Sequence, residues 1–307
     1  DLVVQRSYTN IEYTQRENSD LTLLGARTPW GVGWTMHFGR VISTNSNACT
    51  RSSLIEMTDN PVLELPDGSR QILFDAQTFD PTGPLYMTNE RWKADCAADG
   101  SLGLRVTSSE GTIYDMTVRE LRPMGTFTEY SWYVSRITDR NGNTMMFTYV
   151  TNPVNYLLLK SISTSDGRSV AFTYTDENTP DARLTSIASG TRTWTYDYIP
   201  VPGLQFRYFL TQVNRPSGGR WAYQYNDNLG TATAGSYSLN RLTYPTNGTI
   251  SYTYRFTKFD LADPLNDAVT VATKAADGGN WTFNYVPGTS YDETTVVTPI
   301  GTQTYRH

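Results

Sequence analysis

Few residues in this 307-residue chain have the types and spacing that chemistry needs. There are two histidines, His37 and His307, and two cysteines, Cys49 and Cys96. One internal histidine with no His/Cys spacing gives neither a zinc site nor a Ser-His-Asp triad. His37 sits between Trp34 and Phe38, on the strand face opposite the aromatics, and reads as a satisfied structural histidine. Gly31-Val32-Gly33 lacks the third glycine and the helix of a dinucleotide site, and no phosphate-binding loop is present. Carboxylates are plentiful enough for glycoside chemistry. Asp67, Asp166 and Asp277, however, stand in Asp-Gly turns, where the side chain caps the turn backbone. The sequence therefore implies no metal, no cofactor and no catalytic residue. The cysteines lie 47 residues apart; a disulfide fits an exported protein, and two buried thiols fit as well.

The other group with chemical potential is aromatic. Trp194, Trp221 and Trp281 each open a trio of alternate large residues, and Tyr223 continues the second. Rings on an exposed strand face can stack on the apolar C–H patches of a sugar. The alternative is that the trios pack as one face of a sheet, and the pattern around them favours packing. In Gln212 to Tyr225 an aliphatic residue, Val213, precedes a Pro/Ser/Gly turn, and Trp221, Tyr223 and Tyr225 follow at alternate positions. Period two places all three rings on one face of a strand.

The same unit recurs. Ile137 precedes Asn141-Gly142 and Met145, Phe147, Tyr149; Ile162 precedes Asp166-Gly167 and Val170, Phe172, Tyr174. Ile187 leads to Gly190 and Trp194, Tyr196, Tyr198. Leu242 leads to Asn247-Gly248 and Ile250, Tyr252, Tyr254, and Val271 to Asp277-Gly278-Gly279 and Trp281, Phe283, Tyr285. Trio starts are 25, 24, 27, 29 and 31 residues apart, long enough for two strands and two connections per repeat. Asn-Gly and Asp-Gly between alternating runs are strong hairpin signals. Gly142, Gly167, Gly248 and Gly278 thus define the turns, and Tyr149, Tyr174, Tyr225, Tyr254 and Tyr285 close the strands. A lone hairpin cannot bury its apolar face, so successive units must pair edge to edge.

Upstream of the repeats, Pro61 to Phe74 is a hairpin candidate around Pro66-Asp67-Gly68, and Trp34, Met36 and Phe38 alternate as a strand would. The segments 1–13 (strand-forming) and 14–20 (a polar loop) precede it, and 228–236 reads as an exposed insert between hairpins. The expected fold is all-β: repeated antiparallel β-hairpins forming a continuous curved or spiralling sheet. Residues 1–135 form a β-rich leading region and 136–307 the repeat region. A net charge of −5 gives no electrostatic case for nucleic acid, and no apolar run is long enough for a spanning helix.

The units resemble the YD repeats of the Rhs family. The residues that carry the likeness are Asp139-Arg140-Asn141-Gly142 with Phe147-Thr148-Tyr149, Asp166-Gly167-Arg168 with Tyr174-Thr175-Asp176, and Tyr225-Asn226-Asp227. Arg6-Ser7-Tyr8, Pro29 to Trp34 and Leu65 to Ser69 resemble the segment that precedes such repeats. Arg192, two positions after Gly190, and the extra glycine in Ser217-Gly218-Gly219-Arg220 depart from the pattern. Asp80-Pro81-Thr82-Gly83-Pro84 is faintly similar to the family's self-cleaving motif, but it precedes the repeats and reads as a turn. The resemblance implies a shell of β-strip, as in bacterial Rhs proteins, insecticidal toxin-complex components and the related teneurin barrel. A 307-residue piece would be a non-catalytic section of wall, secreted or at the cell surface. Its partners would be the rest of the parent chain or an enclosed toxin or effector. A surface-carbohydrate or adhesion module is the alternative, and a polysaccharide-cleaving enzyme has no positive motif. An unpaired terminal edge would favour self-association.

Overall fold

The structure, a computed structural model, describes residues 7–8, 29–49, 60–78, 80–124, 127–152, 157–202, 205–226, 237–258, 267–288 and 291–306. The expectations for 1–6, 9–20, 228–236 and His307 fall outside these residues. The chain forms two compact units, one containing 34–192 with 7–8, the other 29–33 and 193–306. Every regular element described is a strand.

The first unit opens with β1 (Ser7–Tyr8), paired with β2 (Trp34–Thr35). It continues through β3 (Arg40–Ser43), β4 (Val62–Glu64), β5 (Arg70–Ile72), β6 (Phe74–Asp75), β7 (Tyr86–Met87) and β8 (Lys93–Cys96). There follow β9 (Leu104–Thr107), β10 (Ile113–Met124), β11 (Phe127–Thr138), β12 (Thr144–Thr151), β13 (Leu157–Thr164), β14 (Ser169–Thr175) and β15 (Arg183–Ser189). The second unit is built from β16 (Arg192–Pro200), β17 (Tyr208–Asn214), β18 (Arg220–Tyr225), β19 (Leu239–Thr243), β20 (Thr249–Lys258), β21 (Asp267–Ala276), β22 (Gly279–Val286), β23 (Glu293–Thr298) and β24 (Gly301–Arg306). Successive hairpins pair antiparallel and edge to edge, so the all-β fold of repeated hairpins in continuous sheet is what the structure has.

Within the first unit the pairing path returns on itself. It runs β3–β4–β5, crosses Leu73 into β6, then passes through β7, β8, β9, β10 and β11, and β11 pairs with β3. The Leu73 N–H, donating to the Pro61 carbonyl at 2.9 Å, keeps β5 and β6 acting as one bent strand. One face of this ring carries Val41, Leu63, Leu104, Val106, Met116, Trp132 and Val134, all fully buried. Each such side chain contributes about 1.5–3 kcal/mol. Val41 lies opposite both Leu63 and Trp132, so the row continues across three strands. Gly103 marks the tightest approach: a Cβ there would meet the Met116 carbonyl oxygen at 2.1 Å and Trp132 at 2.9 Å.

Among the described residues, seven turns share one hydrogen-bond pattern, in which residue i donates to i+4 and accepts from i+3: Leu65–Ser69, Thr88–Trp92, Ser108–Thr112, Asp139–Asn143, Thr164–Arg168, Arg215–Gly219 and Tyr244–Gly248. This is a type I turn followed by one left-handed residue, the three-residue hairpin connection. That residue is Gly142 (φ 86°) and Gly167 (φ 86°) in the first two repeats. In the Asn247-Gly248 turn it is Asn247 (φ 69°) rather than Gly248, because the turn begins one residue earlier relative to the Asn-Gly pair. The Asp277-Gly278 connection differs again. Ala276 pairs directly with Gly279, leaving a two-residue loop, and Gly279 rather than Gly278 takes positive φ.

Trp34, Met36 and Phe38 do not alternate along one strand. Strand structure ends at Thr35, and residues 36–41 are all buried. Gly33 and Gly39 at positive φ turn the backbone here, so a two-sided pattern never develops.

Candidate functional site

Antiparallel register assembles a dense polar cluster in the first unit. Arg70 opens β5 opposite Glu64, the last residue of β4; Glu64 lies opposite Arg40, the first of β3; Arg40 lies opposite Tyr133 of β11. The four therefore stand in one row across four strands. Arg40 gives Nε and Nη2 to Glu64 Oε1 at 3.0 and 2.9 Å, and Arg70 Nε binds Oε2 at 2.6 Å. Arg40 Nη1 also donates to the Tyr133 hydroxyl at 3.1 Å, and that hydroxyl donates to Glu120 Oε2 at 2.9 Å. Arg122 Nε binds the same Glu120 oxygen at 3.1 Å, while Glu120 Oε1 takes the Leu157 N–H at 3.1 Å.

His37 joins the row from the segment before β3. Its Nδ1 accepts the Gly39 N–H at 3.1 Å, which leaves the proton on Nε2 to donate to Glu64 Oε1 at 2.8 Å. His37 is 4% exposed, Arg40 2% and Glu64 3%, so solvent does not screen these interactions. Burial lowers the His37 pKa, against the opposing hydrogen bond to Glu64. Burial works to raise the Glu64 carboxyl, but the His37 hydrogen bond and the Arg40 charge outweigh it and hold the group well below the usual carboxylate range. Tyr133 is pushed up to about 12 by burial and by the Glu120 charge. With both ring nitrogens of His37 engaged, the cluster acts as a brace for strand register. A buried pair of this kind adds little net stability, but removing one partner leaves an uncompensated charge.

Of the three carboxylates expected to cap turns, Asp67 and Asp166 do so, and Asp139 caps another turn. Asp67 Oδ1 takes the Ser69 N–H at 2.9 Å, and Asp139 Oδ1 takes those of Asn141 and Asn143 at 2.8 and 2.9 Å. Asp166 bonds Arg168 Nε at 2.8 Å and the Thr164 hydroxyl, and these two hydrogen bonds depress its pKa strongly. Between the 139–143 and 164–168 turns lies a groove of about 310 Å³ floored by Ile137 and Met145. Among the described residues no group of three or more His, Cys, Asp or Glu is placed to hold a metal ion.

The repeat tyrosines form a device that period-two reasoning missed. Tyr149, Tyr174, Tyr225 and Tyr254 donate their hydroxyls to the carbonyls of Val134, Leu159, Leu210 and Leu239, each 15 residues back. Each of these tyrosines also sits at a register shift, immediately after Thr148, Thr173, Gln224 and Thr253, and Tyr198 follows the same rule after Asp197. The extra residue lies on the following strand, and the phenol clasps the preceding strand on the tyrosine's other side. Tyr285 differs: β22 pairs with β23 without a shift, and Arg255 lies 5.5 Å from the Tyr285 ring. The sequence signal for the clasp was the aliphatic residue 15 positions before each tyrosine.

Trp194, Trp221 and Trp281 are half-buried on β16, β18 and β22, and Tyr223 is half-buried opposite Leu242. Trp221 packs on Tyr244 at 4.7 Å, and Lys274 lies 4.6 Å from the Trp281 ring. Four strand steps separate β18 from β22, about 19 Å across a sheet, so Trp221 and Trp281 do not line one subsite. Cys49 and Cys96 are joined in a disulfide with a Cα–Cα separation of 5.1 Å.

No protein-family model matches the chain, and no curated protein does. Among solved structures, a crystal structure of TcdB2-TccC3 aligns over 92% of this chain and 20% of its own length, at 10% identity and a TM-score of 0.39. The chain thus spans about a fifth of that structure's length. The N-terminal domain of the effector protein SpvB from Salmonella typhimurium aligns over 92% of this chain and 91% of its own length, at 13% identity and a TM-score of 0.31. A porin-like protein from Bacteroides uniformis aligns over 80% and 96%, at 13% identity and a TM-score of 0.30. No residue role is carried over from them.

Proposed function

We propose that this chain is a non-catalytic section of wall in a secreted or cell-surface Rhs/YD-repeat shell, enclosing or presenting a toxin or effector carried elsewhere in its parent chain. The observation that carries the reading is the recurrent clasp. Four tyrosines at bulges, each reaching back 15 residues, fix one strand to its neighbour by the same bond. A device repeated in four of the six units serves extension of a sheet, since nothing in it is particular to one position. Strand faces support the same role. β14 alternates exposed and buried residues along its length, and β22 alternates half-buried and exposed ones. The Cys49–Cys96 disulfide supports export to an oxidising compartment.

The test is protection of the cargo. In the full-length protein, the proposed cargo segment should be digested by a broad protease at least tenfold more slowly than the same segment expressed alone. Opening the wall with paired Tyr174→Phe and Tyr225→Phe changes should restore cleavage. Equal digestion rates with and without the wall would overturn the proposal.

A further inference from the structure

The segment after β3 crosses the ring of the first unit. Residues 44–49 are held by alternate side chains: the Asn45 N–H donates to Ser43 Oγ, Asn47 N–H to Asn45 Oδ1, and Cys49 N–H to Asn47 Oδ1, at 3.0, 3.1 and 2.9 Å. This local ladder stiffens the strap and starts from Ser43, the last residue of β3. The anchors that cross the ring lie at the strap's far end. The Ala48 N–H donates to the Leu102 carbonyl at 3.1 Å, and Cys49 is bonded to Cys96 at the end of β8. Along the pairing path β8 is four steps from β3 in either direction, through β11, β10 and β9 or through β4, β5–β6 and β7. The disulfide therefore braces opposite sides of the ring.

We infer that the Cys49–Cys96 disulfide is a reducible site, open to small-molecule thiols, whose reduction frees the 44–49 strap while the ring stays paired. Cys96 is exposed and Cys49 half-buried, so an incoming thiolate reaches Cys96 Sγ first. It forms a mixed disulfide there and expels the Cys49 thiolate, which takes up a proton. A second reductant thiol attacks the adduct, releasing the Cys96 thiol and leaving the reductant as its own disulfide; two electrons and two protons reach the protein. Among the described residues, the polar ties then left between strap and ring are Asn45 to Ser43, Ala48 to Leu102, a long Arg119 Nη1 contact to the Ser46 carbonyl at 3.4 Å and a weak Cys96 Sγ contact to the Cys49 carbonyl at 3.8 Å. The ring keeps all its strand pairings and the buried face around Trp132. A protein that carried this bond from an oxidising to a reducing compartment would release the strap there. The inference is independent of what the wall encloses.

Hydrogen exchange of the whole folded chain, with and without millimolar reduced glutathione, tests it. Amides of 45–49 should exchange at least about tenfold faster after reduction, while those of 130–134 in β11 keep their protection. The Cys49→Ser/Cys96→Ser variant should match the reduced protein, and alkylation-trapped glutathione should map to Cys96. Three results would overturn the inference: a disulfide that glutathione leaves intact in the folded chain, reduction with unchanged exchange at 45–49, or loss of protection in β11 together with the strap. An adduct found on Cys49 would overturn the assignment of the attacked sulfur.

Discussion

The ring of the first unit and the hairpin strip of the second are made from the same antiparallel pairing, yet they hold their register in different ways. In the ring one face is fully buried around Trp132, and the other buries a polar row at Glu64, Arg40 and Tyr133. One carries Val41, Leu63 and Trp132, the other the Arg70–Glu64–Arg40–Tyr133 row, and specificity resides in side chains that cannot be moved singly. From β18 to β24 most residues are half-buried or exposed, and β24 is exposed at every position. There register rests on turns, bulges and single hydroxyl clasps. Centralised bracing suits a fixed closure, whereas distributed bracing lets units be added or lost one at a time.

The sharpest way to break the contrast is to remove the centre of the ring's brace. Glu64→Gln leaves Arg40 buried beside Arg70 without its carboxylate, a loss of about 3–5 kcal/mol. Urea denaturation followed through exchange of β4 and β11 amides should show it, with β20 and β21 unaffected. Acid comes next. Burial depresses the His37 pKa in the folded protein, so the unfolded chain binds that proton first. Stability from this group is intact above the unfolded value of about 6.5 and falls as pH drops below it, with a slope of up to about 1.4 kcal/mol per unit. Glu64, whose folded pKa is depressed, adds a second loss as pH falls through and below the ordinary carboxylate range. The ring should therefore lose up to about 2 kcal/mol between pH 7 and pH 5, and His37→Gln should flatten that limb. A ring equally stable at pH 5 and pH 7 would remove His37 from the account.

These two regions were not equally legible in the sequence. The hairpins were legible because their signals are local: alternation at period two, and turn residues at fixed offsets, as in Ile162, Asp166-Gly167 and Phe172. That the left-handed residue of the Asn247-Gly248 turn is Asn247 has a local cause too. Asn tolerates positive φ nearly as well as Gly, so Asn-Gly alone does not say which of the two takes it. The brace was illegible for a different reason. Arg40 meets Glu64 across 24 residues and Tyr133 across 93, through a register that only the closed pairing path sets. His37 could be read as structural from its apolar neighbours, but nothing near it in sequence points to Glu64. The disulfide stood open between two readings until the path around the ring brought β8 opposite the strap.

A smaller effect sharpens the comparison from the strip's side. Tyr225→Phe removes the bond to the Leu210 carbonyl while keeping the ring that stacks on Phe209 at 4.3 Å. The expected loss is about 1 kcal/mol. It should appear as faster exchange confined to β17 and β18, and Tyr254→Phe, which frees the Leu239 carbonyl, should act alike on β19 and β20. Because the clasps are separate, the two losses should add. A double variant well below the sum would mean that the clasps communicate, and distributed bracing would be the wrong description.

The smallest expected effect is on the strip's threonine pairs. Thr253 and Thr273 stand opposite each other in β20 and β21 with hydroxyls 2.6 Å apart, exposed to solvent. Water competes for both hydroxyls, and Val fits an exposed strand position as well as Thr does. Thr253→Val should thus change stability by no more than about 0.5 kcal/mol. The equivalent loss in the ring, the Tyr133 hydroxyl in Tyr133→Phe, strands Arg40 Nη1 and leaves Glu120 Oε2 with Arg122 alone in a buried setting, and should cost several times more. If the two changes cost the same, burial does not separate the regions, and the division of labour between ring and strip fails at its root.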